Sequence, residues 1–224
     1  MKQEHPERPR RRHMAARCLI SVSLLVGTSA LMMGCQSGTG VPEETASTEP
    51  GLRVGERAPD ATLLNIDGQP VRLASLYDDG PIVLTFYRGG WCPYCTRALS
   101  GWHDRMDEVR AAGGTFVALT PESPDKAEAT RDEVNGEYLV LSDVNHDASR
   151  AFRVHFNVDP DTRSLYENRY DIHVDRYNAS KTWELPAPAT FVIDRNGIVR
   201  WAFADWDYTK RANVDEVIAA LRAL

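Results

Sequence analysis

The chain has 224 residues, 42% of them hydrophobic, enough for one domain with a real core plus a tail. Its formal net charge of −6 argues against nucleic acid as a partner. The charge is uneven: residues 1–34 hold Lys2, Arg8, Arg10, Arg11, Arg12 and Arg17 against Glu4 and Glu7, a net of +4 that leaves −10 for the remainder. A basic head on an acidic body reads as an address label on a soluble domain.

In chain order, residues 1–34 have the layout of a lipoprotein-type signal peptide. A basic stretch ends at Arg17, and the apolar stretch "CLISVSLLVGTSALMMG" is too short and too rich in small residues for a comfortable membrane span. "LMMGC" then resembles the lipobox of bacterial lipoproteins, with Met32 where Leu is commoner, so Cys35 is the expected lipidation site. An uncleaved anchor and an ordinary signal are the alternatives, and Met14 would open a signal of more usual length. The expected location is the cell envelope or periplasm, lipid-anchored to a membrane. Residues 35–52, with "QSGTGVPEETASTEPGL", are rich in Gly, Ser, Thr, Pro and Glu and read as a flexible tether.

Residues 53–224 carry the folded domain. "DATLLNI" and "PVRLASL" flank Asp67-Gly68, a hairpin signal. "PIVLTFY" is a short apolar run that reads as a buried strand. Cys95, Leu99, Trp102, Met106 and Val109 recur at helical spacing until "AAGG". "TFVALT" is a second buried strand, and "SPDKAEATRDEV" a surface helix with Ser123 as cap and Pro124 at its first position. "EYLVLSD" and "DASRAFRV" repeat strand then helix. Residues 155–186 read as irregular. "ATFVIDRNGIVRWAF" is a hairpin turned at Asn196-Gly197, and "NVDEVIAALRAL" a closing helix with Asn213 and Glu216 spaced as a capping box. Strands separated by helices, then a hairpin and helix, predict an α/β sandwich with a mixed sheet.

Four cysteines are present. If Cys18 leaves with the signal and Cys35 takes lipid, Cys92 and Cys95 remain, in "FYRGGWCPYCTRAL". A bridge closing so small a loop removes little chain entropy, so a chemical role is favoured over a staple. The pair sits where a strand passes through "RGGW" into a helix, with Pro93 at the first helical position and Cys92 just before it. A thiolate there faces free N–H groups and the positive end of the helix dipole, which lowers its pKa. Arg88 adds a positive charge. Cys95 lies one turn on, within reach of a disulfide. Half of a zinc site is the rival reading. It lacks a third cysteine, and His103, His146, His155 and His173 show no ligand spacing, so no metal is expected. Trp91, Tyr94 and Trp206 are candidates to line the site. Glu184 and Asp205 are candidate proton carriers, for which a solvated surface role is the competing reading.

"ERAPDATLLNIDGQPVRLASLY", "IVLTFYRGGWCPYCTRAL" and "LPAPATFVIDRNGIVRWAFADWDYTKR" together resemble the peroxiredoxin-like branch of the alkyl hydroperoxide reductase/thiol-specific antioxidant (AhpC/TSA) family, from about Gly55 to Leu224. The resemblance implies a thioredoxin-like fold, a mixed central sheet flanked by helices, with an extra N-terminal β-hairpin. It also implies that Pro188 is the cis-proline facing the active site. Three positions depart from the family pattern. Gly89 stands where peroxiredoxins carry a Thr or Ser and Thr85 where they carry a Pro; Pro188 occupies the place of an arginine. Arg88, or Arg211 in "DYTKR", can substitute electrostatically.

The resemblance implies a thiol-dependent peroxidase without cofactor, whereas the chemistry of the cysteine pair alone fits disulfide exchange as well. Cys92 and Cys95 are the expected catalytic pair and disulfide, supported by Arg88, Gly89, Gly90, Trp91, Pro93 and Pro188. The expected partners are a hydroperoxide and a thioredoxin-like reductant, with membrane contact through lipid on Cys35. A thiol–disulfide oxidoreductase acting on exported proteins is the alternative, and a non-catalytic envelope lipoprotein the third reading.

Overall fold

The computed structural model describes residues 49–224. The expected signal peptide and lipidation site, with Cys18 and Cys35, lie outside the described residues, as does the tether up to residue 48. The fold is built on β3 (Ile82–Phe86), whose five residues are all buried. It pairs in parallel with β4 (Thr115–Thr120) and antiparallel with β8 (Ala189–Ile193). Around these three, β5 (Leu139–Ser142) joins β4, the hairpin β1 (Thr62–Leu64) and β2 (Pro70–Arg72) joins β5, and β9 (Val199–Ala204) joins β8. The seven-stranded order is β2-β1-β5-β4-β3-β8-β9. This is the expected mixed sheet with an N-terminal hairpin, turned at Gly68 with a positive φ of 74°.

Side-chain alternation divides the core into two layers. Ile82, Leu84 and Phe86 of β3 join Val117 and Leu119 of β4 and Phe191 of β8 on one face. Val83, Phe116, Ala118 and Val192 point to the other. The first face is closed by α4 (Asp147–Ala151), by Phe152 and by a 3-10 turn over Leu73–Tyr77. The second is closed by α1 (Pro93–His103), α2 (Met106–Ala111), α3 (Pro124–Glu133) and α7 (Val214–Arg222). Among the described residues no helix is long and apolar enough to cross a membrane.

Several expectations need correction. The helix expected from Cys95 through Val109 is two helices. It breaks at Asp104–Arg105, where the Arg105 N–H turns back to Trp102 O and its guanidinium pairs with Glu108 and with Asp215 of α7. Residues 155–186 are not irregular. They form β6 (His155–Asn157), α5 (Pro160–Tyr170), α6 (Val174–Tyr177) and β7 (Glu184–Pro186), with β6 and β7 paired as a separate ribbon. No residue of α5 is buried, so it carries no apolar stripe. It starts instead on Asp159, whose carboxylate accepts from the N–H groups of Asp161 and Thr162, with Pro160 at its first position. Every described peptide bond is trans, Ala187–Pro188 included. Pro188 has no N–H to give to the ladder and sits one residue before the Phe86–Ala189 pair, at the sheet end that carries the cysteine loop. Pro50 to Leu52 belong to the folded unit rather than to the tether: Leu52 is in the core and the Gly51 N–H donates to Arg153 O. Gly51 has a φ of 87°, and a Cβ there would meet Ala204 Cβ at 2.8 Å. Asn213 caps α7 by accepting from Asp215 N.

Phe152 is fully buried, 5.3 Å by ring centroid from both Phe86 and Phe191. Phe152→Ala is expected to lower unfolding free energy by about 3–5 kcal/mol in urea titration. Leu165→Ala, on the exposed side of α5, is expected to change it by no more than about 0.5 kcal/mol. A Phe152→Ala cost under about 1 kcal/mol would contradict this packing.

Candidate active site

β3 ends at Phe86, the Tyr87 N–H still reaching Leu119 O across to β4. The loop 88–91 then turns into α1. Cys92 is the N-cap, in an extended conformation (φ −97°, ψ 109°), and Pro93 holds the first helical position. The turn leaves no room at its two glycines. Gly89 has a φ of 147°, and a Cβ on it would meet Trp91 Nε1 at 2.4 Å; a Cβ on Gly90 would meet Thr130 Oγ1 at 2.2 Å. The Gly90 N–H donates to Glu122 Oε1 at 3.1 Å, and the Thr130 hydroxyl donates to Glu122 Oε2 at 3.2 Å. Glu122 is buried, and burial raises its carboxyl to about 7 despite these donors.

Cys92 and Cys95 are both free thiols and both buried. Their environments push them apart. Cys92 falls to about 6: the Cys95 thiol, one turn on, donates toward its sulfur, and Arg88 and Arg211 add positive charge, which together outweigh burial. Cys95 rises well above the ordinary thiol value, first through burial and then through the neighbouring Cys92. Arg211 Nη2 donates to Cys95 Sγ at 3.3 Å.

Arg88 is only 2% exposed. Among the described residues no carboxylate lies within ion-pair distance of it. Its guanidinium faces the rings of Tyr208 at 4.7 Å, Trp91 at 4.8 Å and Tyr166 at 5.6 Å, and donates to the Tyr166 hydroxyl. Tyr94 stands edge-on to Tyr208 at 5.5 Å, and Trp91 is tilted against Tyr177 at 6.4 Å. The walls of this box come from α1, α5, α6 and the loop after β9. The segment that carries α5 and α6 is fixed beside Glu122: the Ser123 N–H donates to Tyr177 O, and Asn178, fully buried, donates to Thr182 O and Glu184 O.

Arg88, Gly89, Gly90, Trp91, Pro93 and the two cysteines therefore meet at one place. Trp206 stands apart from the box, against Phe156 at 6.1 Å. The Asp205 carboxylate accepts from Asp207 N within its own turn. Glu184 lies in a separate cluster with His146, His155 and Arg150. Among the described residues no three metal-ligating side chains are grouped for an ion. Glu122, Tyr166 and Tyr208 were not singled out by the sequence. Glu122 lies two residues past the buried strand β4, within "TPES", and that buried context is the one local signal it offers. The two tyrosines lie 78 and 120 positions from Arg88 and offer none.

The acidity of Cys92 leads to a direct expectation. In the ultraviolet thiolate titration, Cys95→Ala is expected to move the Cys92 midpoint from about 6 up toward the ordinary ~8.5, whereas Cys95→Ser, which keeps a donor, moves it less. Equal midpoints in wild type and Cys95→Ala would contradict the role given to the Cys95 thiol.

Comparison with known proteins agrees with this geometry. Peroxiredoxin Bcp of Escherichia coli K12 is 26% identical over 168 residues, covering 75% of this chain and 93% of that protein. The chloroplastic peroxiredoxin Q of Suaeda salsa is 24% identical over 170 residues, covering 76% of this chain and 68% of that one. Among solved structures, peroxidoxin BcpB of Mycobacterium tuberculosis superposes with a TM-score of 0.60 at 23% identity, over 77% of this chain and 98% of that one. The fold is thus the thioredoxin-like fold of peroxiredoxins. The family model described as the AhpC/TSA family matches residues 54–202, and the chain belongs to that family.

Proposed function

We propose that this chain is a thiol-dependent peroxidase in which Cys92 attacks the hydroperoxide and Cys95 resolves the product. The carrying observation is the pair of opposed thiols: an acidified sulfur at a helix start beside a buried cation, and a protonated thiol one turn behind it. The Cys92 thiolate attacks one peroxide oxygen, the O–O bond breaks, and the leaving oxygen takes a proton to depart as alcohol or water. Cys92 is left as a sulfenic acid. Cys95 then displaces the hydroxyl to form the disulfide, and a thioredoxin-like dithiol returns both sulfurs to thiols. Stabilisation of the departing oxygen falls to Arg88 and the helix start, because Gly89 has no hydroxyl to offer.

After one equivalent of hydrogen peroxide, intact mass is expected to show a disulfide in the wild type. It should show a trappable sulfenic acid at Cys92 in Cys95→Ser and no oxidation in Cys92→Ser. An unoxidised Cys95→Ser would overturn the assignment. The glycine in the hydroxyl position favours one second reading, exchange of disulfides with exported proteins. In that case Cys95→Ser accumulates mixed disulfides in cells instead of a sulfenic acid.

The order of basic, apolar and "LMMGC" segments supports cleavage before Cys35, lipid on its thiol and a membrane-anchored place in the cell envelope. Detergent partitioning is expected to move Cys35→Ala from the detergent to the aqueous phase, with loss of the lipid mass. A variant that stays in detergent at unchanged mass would remove the anchor.

A further inference from the structure

The second half of the cycle has a difficulty that the first half lacks. The thiolate is the attacking species, yet Cys95 is 1% exposed and is held protonated by burial and by Cys92. One cation touches its sulfur: Arg211 Nη2 donates to Sγ at 3.3 Å. That guanidinium does not swing freely, because its Nη1 donates to Tyr208 O at 2.7 Å and to Lys210 O at 2.6 Å. Cys95 and Arg211 also share a cavity of about 330 Å³ with Thr85, Leu99 and Trp102, and Cys92 is not among the residues that line it. Arg88 acts on Cys92 from within the aromatic box, whereas Arg211 donates directly to Cys95 from the cavity side and acts on Cys92 only as the weaker of two charges.

We propose that Arg211 is a catalytic residue of the resolution step, its guanidinium stabilising the Cys95 thiolate as that sulfur attacks the Cys92 sulfenic acid. The proposal rests on the reading of Cys92 as the peroxide-attacking sulfur. In the step, the Cys95 sulfur gives an electron pair to form the S–S bond and is oxidised. The S–O bond of Cys92 breaks toward oxygen, so that sulfur is reduced, and the hydroxide combines with the proton given up by Cys95 to leave as water. No outside oxidant or reductant is needed.

The charged and titratable groups facing Cys95 are Cys92 one turn before it, Tyr87 just after β3 and Arg211 after β9, and the backbone of Arg88 also hydrogen-bonds to it. Of these, Arg211 is the one whose side chain donates to the Cys95 sulfur in a direct hydrogen bond. An opposite charge this close raises the ionised fraction by about 10- to 1,000-fold. Weaker nucleophilicity of the more acidic thiolate cancels roughly half of that on a logarithmic scale. The net gain is about 3- to 40-fold in the resolution rate.

The test is rapid mixing of the reduced full chain with hydrogen peroxide, quenched with a sulfenic-acid trap and read by intact mass, for wild type, Arg211→Gln and Arg211→Lys. Arg211→Gln is expected to keep the sulfenic acid about 3- to 40-fold longer than wild type. Its peroxide step should slow by less than about threefold, since Arg211 is the weaker of the two cations acting on Cys92. The deficit should shrink as pH rises, because ionisation of the buried Cys95 thiol then depends less on the cation. Arg211→Lys should restore most of the resolution rate. If Arg211→Gln does not fold, Arg211→Met carries the same expectation. Resolution at the wild-type rate, or a deficit constant across pH, would overturn the proposal while leaving Cys92 in place. A wild type that forms neither sulfenic acid nor disulfide would overturn both.

Discussion

A buried positive charge needs a negative one, and among the described residues no carboxylate stands within ion-pair distance of Arg88. The guanidinium is 2% exposed and is surrounded by the faces of Trp91, Tyr166 and Tyr208. Ring quadrupoles offset part of the cost of removing it from water, on the order of 0.5–2 kcal/mol each. The group left to complete the balance is the Cys92 sulfur, whose thiolate is favoured in turn by Arg88. Cation and thiolate thus justify each other, and the aromatic walls keep water from screening them.

The remainder of the domain holds that arrangement in register. β3 lies inside the seven-stranded sheet, between β4 and β8, and fixes where Arg88 leaves it. Glu122, two residues past neighbouring β4, holds the loop amide of Gly90, and the absent side chains of Gly89 and Gly90 let the loop lie against Trp91 and Thr130. Tyr166 comes from α5 and Tyr177 from α6, in the segment 155–186. That segment contributes little to the core but closes the site, so its burial is local rather than global. A helix without a buried face stays in place here because its ends and Asn178 are hydrogen-bonded and its tyrosine reaches Arg88.

Local pattern carried most of the fold and the centre of the site. The five apolar residues of β3, the Asp67-Gly68 turn, and Pro93 after Cys92 act over a few positions and were readable as such. The break at Asp104–Arg105 was not, because it is accompanied by a pairing of Arg105 with Asp215, 110 residues away. Helix α5 was legible only in Asp159-Pro160, since periodicity says nothing about a helix that buries no residue. The Arg88 box was half visible: Trp91 is three positions away, while Tyr166 and Tyr208 arrive through the tertiary fold. Pro188 shows the limit of reasoning from resemblance, its position being at the expected sheet end with a trans bond before it.

The most direct test of the account is the second-order rate constant of the reduced chain with hydrogen peroxide, measured by stopped flow between about pH 5 and 8. The rate is expected to rise with a midpoint near 6 and to level off well above that of a free thiolate of the same acidity, since cation, helix start and desolvation act on the developing oxygen charge. A plateau equal to that of the free thiolate, or a midpoint near the ordinary ~8.5, would contradict it.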